Sequence, residues 1–245
     1  MAQLDGKVAI ITGAAQGMGE VHAHRFVAEG ARVVLTDLQE AAGEAVAKEL
    51  GESALFVPHD VREEADWDRV IEATLERFGT LDVLINNAAI WSTASIESER
   101  VERLREILEV NVVGSWWGIR KAIAPMREAG GGSIVNISSI AGTRGIPEHG
   151  SYGASKWAVR GLAKVAASEL GRYGIRVNSI HPGGVKDTGM FLIPEEEQAR
   201  SFAGQPIPRP ALREEISNVA IFLASDASSY ITGREHVVDG GLTLW

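Results

Sequence analysis

The sequence predicts a single α/β domain built on a parallel sheet with helices on both faces. Short β-branched apolar runs alternate with helical patterns, glycines punctuate the junctions, and no linker or composition shift divides the 245 residues. Strands that alternate with helices form right-handed crossovers, which give a parallel sheet covered on both faces. We therefore expect one doubly wound domain over residues 1–245, with ligands bound beyond the carboxyl ends of the strands.

Each strand is predicted from an apolar, β-branched run, and each helix from apolar positions that recur every three or four residues. The predicted strands are 7–12, 32–37, 54–59, 81–86, 133–137, 176–180 and 235–238. The predicted helices are 17–29, 40–50, 63–78, 97–129, 152–171 and 212–224, the fourth bent or stopped near Pro125. Residues 187–210 carry four prolines and no clear periodicity, so we expect 187–212 to form a mobile lid over the ligand. Its glutamate run at 195–197 is expected to be a solvated helix start.

Composition narrows the classes of function. The net charge of −9 argues against a nucleic-acid partner, which needs a basic surface. No apolar run approaches the ~18 residues of a membrane span, and the first residues lack the basic and apolar regions of a secretory signal. The lack of cysteine excludes disulfides and thiolate chemistry. We expect a cytoplasmic protein without membrane or nucleic-acid partners.

The six histidines do not predict a metal site. His22 and His24 stand two residues apart, so they do not share a helix face, and the others are isolated in the sequence. We expect packing or surface roles for them. The exception is His149, which lies three residues before Tyr152 and is expected to reach a ligand pocket.

A glycine-rich turn follows the first predicted strand. Gly13, Gly17 and Gly19 lie between that strand and a helical pattern. Glycines there permit a tight turn and let backbone N–H groups approach a pyrophosphate at the positive end of the helix. Glycines are common in turns, so the cluster alone is weak evidence for a ligand site. Its position between a strand and a helix is what is typical of dinucleotide binding.

Asp37 closes the second predicted strand, about 20 residues past the glycines. A carboxylate there can accept hydrogen bonds from both adenosine ribose hydroxyls, and it repels a 2′-phosphate. The neighbouring Ala14, Ala15, Gln16 and Leu38 are uncharged, so the sequence favours NAD over NADP. The alternative is that Asp37 only caps the next helix.

Two further strand ends offer polar groups. Asp60 and Val61 follow the third strand, where the adenine would lie, and capping of the next helix by Asp60 is an equal alternative. Asn86 and Asn87 end the fourth strand. Their amides can either tie neighbouring strand ends together or approach the ribose.

A tyrosine and a lysine suggest the chemistry. Tyr152 and Lys156 stand four residues apart in a helical pattern, which places both on one face, roughly 6 Å apart along the axis. Tyr152 would give a proton to a developing alkoxide or remove one from an alcohol. Its pKa, ordinarily about 10, would need to fall near 7, and Lys156 with a nicotinamide cation can lower it. Ser139 would hydrogen-bond the substrate oxygen. Asn111, a poor helix former inside a predicted helix, could hold a water that passes protons to Lys156.

The chain resembles the short-chain dehydrogenase/reductase family through motifs that span nearly its whole length. They are Thr12-Gly13-x-x-x-Gly17-x-Gly19, Asn86-Asn87-Ala88, Asn111, Ser139, Tyr152-x-x-x-Lys156, Pro182-Gly183, Ile231-Thr-Gly233 and Asp239-Gly-Gly241. The resemblance implies a Rossmann fold with a seven-stranded parallel sheet of order 3-2-1-4-5-6-7 and a nicotinamide cofactor. It also implies a catalytic tetrad of Asn111, Ser139, Tyr152 and Lys156. The family spacing selects Ser139 over Ser138, because Ser139 lies thirteen residues before Tyr152.

The same resemblance implies an assembly and a cofactor site. Members of the family are often homotetramers, and Trp116 and Trp117 fit either a subunit interface or core packing. The residues expected to contact the cofactor are Gly13, Gln16, Gly17, Met18, Gly19, Asp37, Leu38, Asp60, Val61, Asn87, Ala88, Ala89, Tyr152, Lys156, Pro182, Gly183, Val185 and Thr188.

Two positions depart from the family pattern. Ala89 stands where the family has glycine after Asn-Asn-Ala, and its methyl group narrows the space near the nicotinamide ribose. Asp187 stands four residues past Gly183, where the family has threonine, and Thr188 follows it. A one-residue insertion here would change how Val185 and Thr188 meet the nicotinamide carboxamide.

The expected substrate pocket is mostly apolar. Its expected lining is Ser139, Ile140, Ile146, His149, Tyr152, Gly184, Met190 and Phe191, with Ile90, Trp91 and Trp245 as further candidates. No arginine is placed for a carboxylate or a phosphate, which favours a neutral, hydrophobic ketone or secondary alcohol. Stretches around Ser139, Tyr152 and His181 are similar to those of bacterial 3α(20β)-hydroxysteroid dehydrogenases, which hints at the size and polarity of the substrate.

Three functions remain open from the sequence. The first is an NAD-dependent dehydrogenase of secondary alcohols or hydroxysteroids. The second is a 3-oxoacyl-thioester (acyl-carrier-protein) reductase, which would normally use NADP, so Asp37 speaks against it. The third is a non-catalytic NAD-sensing or scaffold protein on the same fold, which an intact tetrad disfavours.

Overall fold

The computed structural model describes residues 2–244 and contains a seven-stranded sheet covered by helices. The strands are β1 (Val8–Thr12), β2 (Arg32–Asp37), β3 (Ala54–Pro58), β4 (Val83–Asn86), β5 (Gly132–Ile137), β6 (Ile175–Pro182) and β7 (Glu235–Val238). They run in the order β3-β2-β1-β4-β5-β6-β7, and each neighbouring pair is parallel. The fold class and strand order expected from the sequence are confirmed. Trp245, a candidate pocket residue, lies outside the described residues.

The helices connect the strands in the expected alternation. They are α1 (Gly17–Ala28), α2 (Glu40–Leu50), α3 (Glu64–Phe78), α4 (Val101–Leu108), α5 (Gly114–Glu128), α6 (Gly150–Leu170), α7 (Glu195–Ser201) and α8 (Arg213–Ala224). None of the helices within residues 2–244 is both long and apolar enough to cross a bilayer.

Two apolar cores lie on opposite faces of the sheet. Along β1, Ala9 and Ile11 enter one core, whereas Val8 and Ile10 enter the other. This alternation follows from the two-residue period of a strand, and it requires apolar residues at every position. The first core packs against α1, α2 and α8, and the second packs against α3, α5 and α6.

The single helix predicted over residues 97–129 begins later than expected and is divided in two. Helix α4 begins at Val101, and a π-helical turn (Glu109–Val113) separates it from α5. Pro125 lies inside α5 without ending it. Residues 97–100 are bonded to the preceding loop instead of forming a helical turn: Ser95 Oγ accepts from the backbone N–H of Ser98 at 3.2 Å, and Glu99 Oε2 accepts from Ser92 Oγ at 2.8 Å.

The segment 187–212 contains a helix, of which the sequence predicted only the start, at residues 195–197. Helix α7 begins at Glu195, and its first three residues are exposed glutamates, as expected. The two ends of the segment meet at its base. Lys186 N donates to Ala211 O at 2.9 Å, and Ala211 N donates to Gly184 O at 2.8 Å. The segment is also held near its end, because Ile207 N donates to Gly240 O at 2.9 Å and Arg209 Nη2 donates to Glu215 Oε1 at 2.7 Å.

Candidate active site

The glycine turn lies at the carboxyl end of β1 and leads into α1. Gly13 and Gly17 have φ angles of 65° and 64°, a region that residues with a Cβ rarely adopt. A Cβ on Gly19 would lie 2.1 Å from the Gly13 carbonyl oxygen, so only glycine fits there. Gln16 is the N-cap of α1 and makes no side-chain capping bond. The first backbone N–H groups of the helix thus remain available for an anion, which fits a dinucleotide pyrophosphate.

Asp37 connects the end of β2 to this turn. Its Oδ2 accepts from Ala15 N at 3.1 Å, and its Oδ1 accepts from Gln39 N at 3.0 Å. The alternative of a simple helix cap is wrong, because Gln39 is the N-cap residue of α2. The carboxylate lies beside the glycine turn, where an adenosine ribose would be expected. Leu38 follows with two thirds of its surface exposed.

Asp60 does not cap the next helix either. Helix α3 has Glu63 as its N-cap, whereas Asp60 forms a salt bridge with Arg62, whose Nε donates at 2.9 Å to Oδ1. Arg62 also holds the pKa of Asp60 below its usual value. Val61 is buried beside this pair. The carboxylate is therefore ionised and paired with Arg62, and contact of Asp60 and Val61 with an adenine stays a prediction.

The two asparagines at the end of β4 tie strands together. Asn86 Nδ2 donates to Asn136 Oδ1 at 2.9 Å, which joins β4 to β5. Asn87 Nδ2 donates to Thr12 O at 2.8 Å and to Gly13 O at 3.1 Å, which joins β4 to the glycine turn. The backbone at Ala88 is close enough that a Cβ on Gly13 would lie 2.9 Å from the Ala88 Cα. Asn87 therefore shapes the turn through its amide N–H groups.

Tyr152 and Lys156 face the end of β5 from one side of α6. Lys156 Nζ lies 5.5 Å from the centre of the Tyr152 ring and donates to Ile137 O at 2.8 Å. Ser139 Oγ accepts from Ala141 N at 3.1 Å, and Ser139 and Tyr152 line the same pocket. Ser138 instead turns away and donates to the Lys156 carbonyl at 3.0 Å. The Ser138 hydroxyl is thus engaged with the α6 backbone, which leaves Ser139 as the candidate partner of the substrate oxygen.

Burial shifts both ionisable groups away from their charged forms. Burial raises the pKa of Tyr152 to about 12, although the hydrogen bond with Ser139 acts in the lowering direction. Burial also lowers the pKa of Lys156 to about 8. The expected lowering of the Tyr152 pKa requires the nicotinamide cation as well as Lys156, so it stays a prediction for the protein with its cofactor. In the protein alone, Lys156 loses its proton before Tyr152 does.

Asn111 sits in the π-helical turn and is almost completely buried. Its Oδ1 accepts from Ile90 N at 2.8 Å, and its Nδ2 donates to Ile90 O at 2.9 Å and to Ser155 Oγ at 2.9 Å. Both amide N–H groups are occupied, and Oδ1 keeps one lone pair, so the water expected from the sequence stays a prediction. The side chain fixes α6 and the loop after Ala89 to the same turn.

A pocket of about 210 Å³ opens beside Tyr152 at the carboxyl ends of the strands. All eight residues expected to contact the substrate line it: Ser139, Ile140, Ile146, His149, Tyr152, Gly184, Met190 and Phe191. Trp91 lines it as well, but Ile90 does not. Met18, Pro182, Gly183, Val185 and Thr188, expected at the cofactor, complete the wall together with Ser138 and Ala141. The expected cofactor and substrate regions therefore meet in one cavity.

The extra residue after Gly183 is absorbed at Asp187. This residue has a φ of 58°, in the left-handed region that residues other than glycine seldom adopt. Thr188 remains on the pocket wall, and its hydroxyl donates to Val185 O at 3.1 Å. The insertion thus bulges at one exposed residue and leaves Val185 and Thr188 beside the cavity.

His181 was assigned a packing or surface role from the sequence, but it supports Ser139. It is fully buried at the end of β6, and its Nδ1 lies 3.1 Å from Ser139 O. A carbonyl can only accept, so Nδ1 carries the proton and Nε2 accepts from Ser179 Oγ at 2.9 Å. Its position immediately before Pro182-Gly183 was the available signal. Within residues 2–244, no three His, Asp or Glu side chains are grouped to hold a metal ion.

Comparison with known proteins agrees with this geometry. Residues 13–243 match the sequence model of the family described as enoyl-(acyl carrier protein) reductase. The chain is 47% identical over 98% of its length to the 3-alpha-(or 20-beta)-hydroxysteroid dehydrogenase of Mycobacterium tuberculosis, of which it covers 90%. It is 45% identical to the trans-4-hydroxycyclohexanecarboxylate dehydrogenase of Sinomonas cyclohexanicum, over 97% of this chain and 93% of that protein.

A third relative uses the phosphorylated cofactor. The NADP-dependent (R)-specific alcohol dehydrogenase of Lentilactobacillus kefiri is 41% identical, over 98% of both chains. The chain belongs to the short-chain dehydrogenase/reductase family. It is an oxidoreductase of the kind that acts on hydroxyl groups with NAD(P).

Proposed function

We propose that this protein interconverts a neutral, hydrophobic secondary alcohol and its ketone, with NAD as the preferred cofactor. The observation that carries the proposal is the placement of the Tyr152 phenol. Tyr152 and Ser139 line the same mostly apolar pocket, and Lys156 Nζ lies 5.5 Å from the centre of the Tyr152 ring. The pocket offers a proton donor, a hydrogen-bond partner for an alkoxide and no cation among its lining residues to bind a carboxylate.

The residues divide the reaction between them. Tyr152 removes the hydroxyl proton in oxidation and returns it in reduction. Lys156 stabilises the phenolate as that proton leaves, and Ser139 hydrogen-bonds the substrate oxygen. When bound, the nicotinamide ring supplies the hydride acceptor or donor. Asn111 and His181 hold the backbone around these groups in place.

The preference for NAD is supported by Asp37. Its carboxylate accepts from Ala15 N within the glycine turn, where a 2′-phosphate would meet its negative charge. The flap 187–212 closes over the pocket in this proposal, and residues 1–245 act as one domain. Two of the relatives are named for hydroxysteroids or a hydroxylated cyclohexane carboxylate, which supports a cyclic alcohol.

We also propose a cytoplasmic homotetramer. Trp116 on α5 and Trp157 and Val165 on α6 are large apolar residues of which about half is exposed. Trp117 is instead half-buried against the core. Exposed apolar groups on two long helices support a subunit interface. Light scattering on the purified protein tests this, and a monomer would overturn it.

A substrate panel tests the function. Purified protein is incubated with NAD or NADP and a range of secondary alcohols, cyclic alcohols and hydroxysteroids, and the absorbance of the reduced nicotinamide is followed. We expect turnover of at least one neutral alcohol with NAD. Binding of NAD without turnover of any alcohol would favour the non-catalytic alternative, and preference for an acyl thioester with NADPH would favour the reductase.

A further inference from the structure

Trp91, which lines the pocket, begins a segment, residues 91–99, that lies against the loop before Tyr152. Ala94 and His149 form a parallel β-bridge, and Ala94 N donates to Glu148 O at 2.9 Å. Glu148 has a φ of 63°, a conformation seldom adopted by residues other than glycine. A Cβ on Gly150 would lie 3.2 Å from Ile96 Cγ1. The segment is thus in close contact with the start of α6.

A carboxylate and two hydroxyls fasten this segment to α6. Glu99 Oε2 accepts from Ser151 Oγ at 2.5 Å and from Ser92 Oγ at 2.8 Å, and the two hydroxyls are 3.1 Å apart. The hydrogen bonds from Ser151 and Ser92 lower the pKa of Glu99, so it is ionised at neutral pH. Charge-assisted hydrogen bonds of this kind are stronger than neutral ones. We call Glu99, Ser92 and Ser151 the latch.

The other end of the segment is held as well. Arg103 Nη2 donates to Trp91 O at 2.6 Å, and its Nη1 pairs with Glu106 at 2.7 Å on the same helix, α4. Ser151 immediately precedes Tyr152, so the latch connects the pocket wall directly to the proposed acid/base residue. Opening the latch would release Ser92 from α6 and leave the bond from Arg103 to the Trp91 backbone as the remaining hold, so the Trp91 side chain could shift away from His149.

Three aromatic side chains, Trp91, His149 and Tyr152, lie next to one another along this side of the pocket. The Trp91 and His149 centroids are 5.9 Å apart, and those of His149 and Tyr152 are 6.2 Å apart. The pocket they border holds about 210 Å³. A cavity of about 150 Å³ accommodates benzene, whereas pockets for drug-sized ligands run from ~300 to 1,000 Å³. Part of this volume borders Met18, Pro182 and Gly183, which are expected to meet the nicotinamide. The remaining room suits a single ring.

We propose that Glu99 is a positioning residue that sets substrate size: through Ser92 and Ser151 it holds the Trp91–His149 wall in place and restricts the enzyme to monocyclic secondary alcohols. The proposal rests on the function proposed above. A four-ring steroid would require the wall to move, and the latch opposes that movement.

The test compares a one-ring and a four-ring substrate. The kcat/KM values for cyclohexanol and for a 3α-hydroxysteroid are measured with NAD in the wild type, Glu99→Ala, Glu99→Gln and Ser92→Ala. We expect the wild type to favour cyclohexanol. Glu99→Ala should raise the steroid-to-cyclohexanol ratio at least about tenfold, mainly through KM, since pocket contacts of this size are worth that much discrimination. Glu99→Gln keeps one acceptor oxygen and should fall between.

A matched control separates the latch from general effects. Glu97→Ala removes an exposed glutamate two residues away and should leave the ratio unchanged. An unchanged ratio in Glu99→Gln and Ser92→Ala, with wild-type thermal unfolding midpoints, would overturn the proposal. Equal efficiency of the wild type on both alcohols would overturn the size restriction alone. Turnover of neither alcohol by the wild type would overturn the proposed function, and the size restriction with it.

Discussion

Lys156 Nζ lies 5.5 Å from the centre of the Tyr152 ring and donates to the Ile137 carbonyl at 2.8 Å. The lysine is thus held at the end of β5 while it faces the phenol. Burial disfavours the charged forms of both side chains. The protein alone therefore keeps a neutral phenol beside an amine that deprotonates near pH 8, and the two share one exchangeable proton.

This pairing predicts a pH dependence. Oxidation needs the pair to have lost one proton and to react with the remaining proton on Lys156, so that Tyr152 is the phenolate that accepts the hydroxyl proton. Burial lowers the pKa of Lys156 to about 8 and raises that of Tyr152 to about 12, so the first of the two protons is lost near pH 8. We expect kcat/KM for alcohol oxidation to fall about tenfold per pH unit below about pH 8 and to level off above it. Lys156→Met leaves only the phenol and should move the rise above about pH 10. A flat profile in the wild type would contradict this pairing.

Asp37 is expected to control cofactor choice. Asp37→Asn keeps an oxygen that can accept from Ala15 N but removes the charge that repels a 2′-phosphate. We expect the kcat/KM ratio of NADP to NAD to rise at least about tenfold, which corresponds to ~1.4 kcal/mol. Glu40→Gln, in the exposed first turn of α2, is the control and should keep the ratio. Wild-type preference for NADP would contradict the assignment of Asp37.

Two glycines of the turn should respond differently to alanine. A Cβ at position 19 would lie 2.1 Å from Gly13 O, whereas a Cβ at position 17 would meet nothing within 4 Å. In Gly17→Ala the new Cβ meets no neighbour, so the only penalty is the left-handed backbone conformation, which costs an alanine roughly 1–2 kcal/mol. Titration with NAD should show a loss of affinity of about tenfold for Gly17→Ala and of at least about a hundredfold for Gly19→Ala. Equal affinities in the two variants would argue against close packing of the turn.

Buried histidines should make the protein sensitive to acid. Burial lowers the pKa of His22 to about 4, so between about pH 6.5 and 4 the unfolded chain binds a proton that the folded protein does not. The free energy of unfolding should fall over that window as pH drops, by up to about 3 kcal/mol from this residue.

Denaturant unfolding of His22→Gln checks this sensitivity. Its destabilisation relative to the wild type should shrink between about pH 7 and pH 4.5, because only the wild type has a histidine to protonate at that position. A destabilisation by His22→Gln that is independent of pH would contradict the linkage.

The sheet was predictable because each strand is apolar at nearly every position and is bounded by glycine or a polar group. The glycine turn and the pairing of Tyr152 with Lys156 were predictable too, because both follow from the spacing of residues close together in the sequence. The pocket lining was also predictable, because the carboxyl ends of parallel strands converge on one edge.

Long-range contacts were not predictable. The bond from His181 to Ser139 O and the latch around Glu99 join residues 42 and 52 positions apart, and no local pattern encodes them. The helix boundary near residue 100 failed for the same reason, since Glu99 serves a contact with α6. The direction of the Tyr152 pKa shift depends on burial, which only the folded protein defines.

The acid/base role of Tyr152 is tested most directly by Tyr152→Phe. This substitution removes the phenolic oxygen and keeps the ring that packs near His149. Single-turnover hydride transfer from an accepted alcohol to NAD should slow by at least about a hundredfold, the scale of a general acid/base contribution. The affinity for NAD, measured by fluorescence titration, should change by less than about threefold. Hydride transfer at the wild-type rate in this variant would contradict the proposed mechanism.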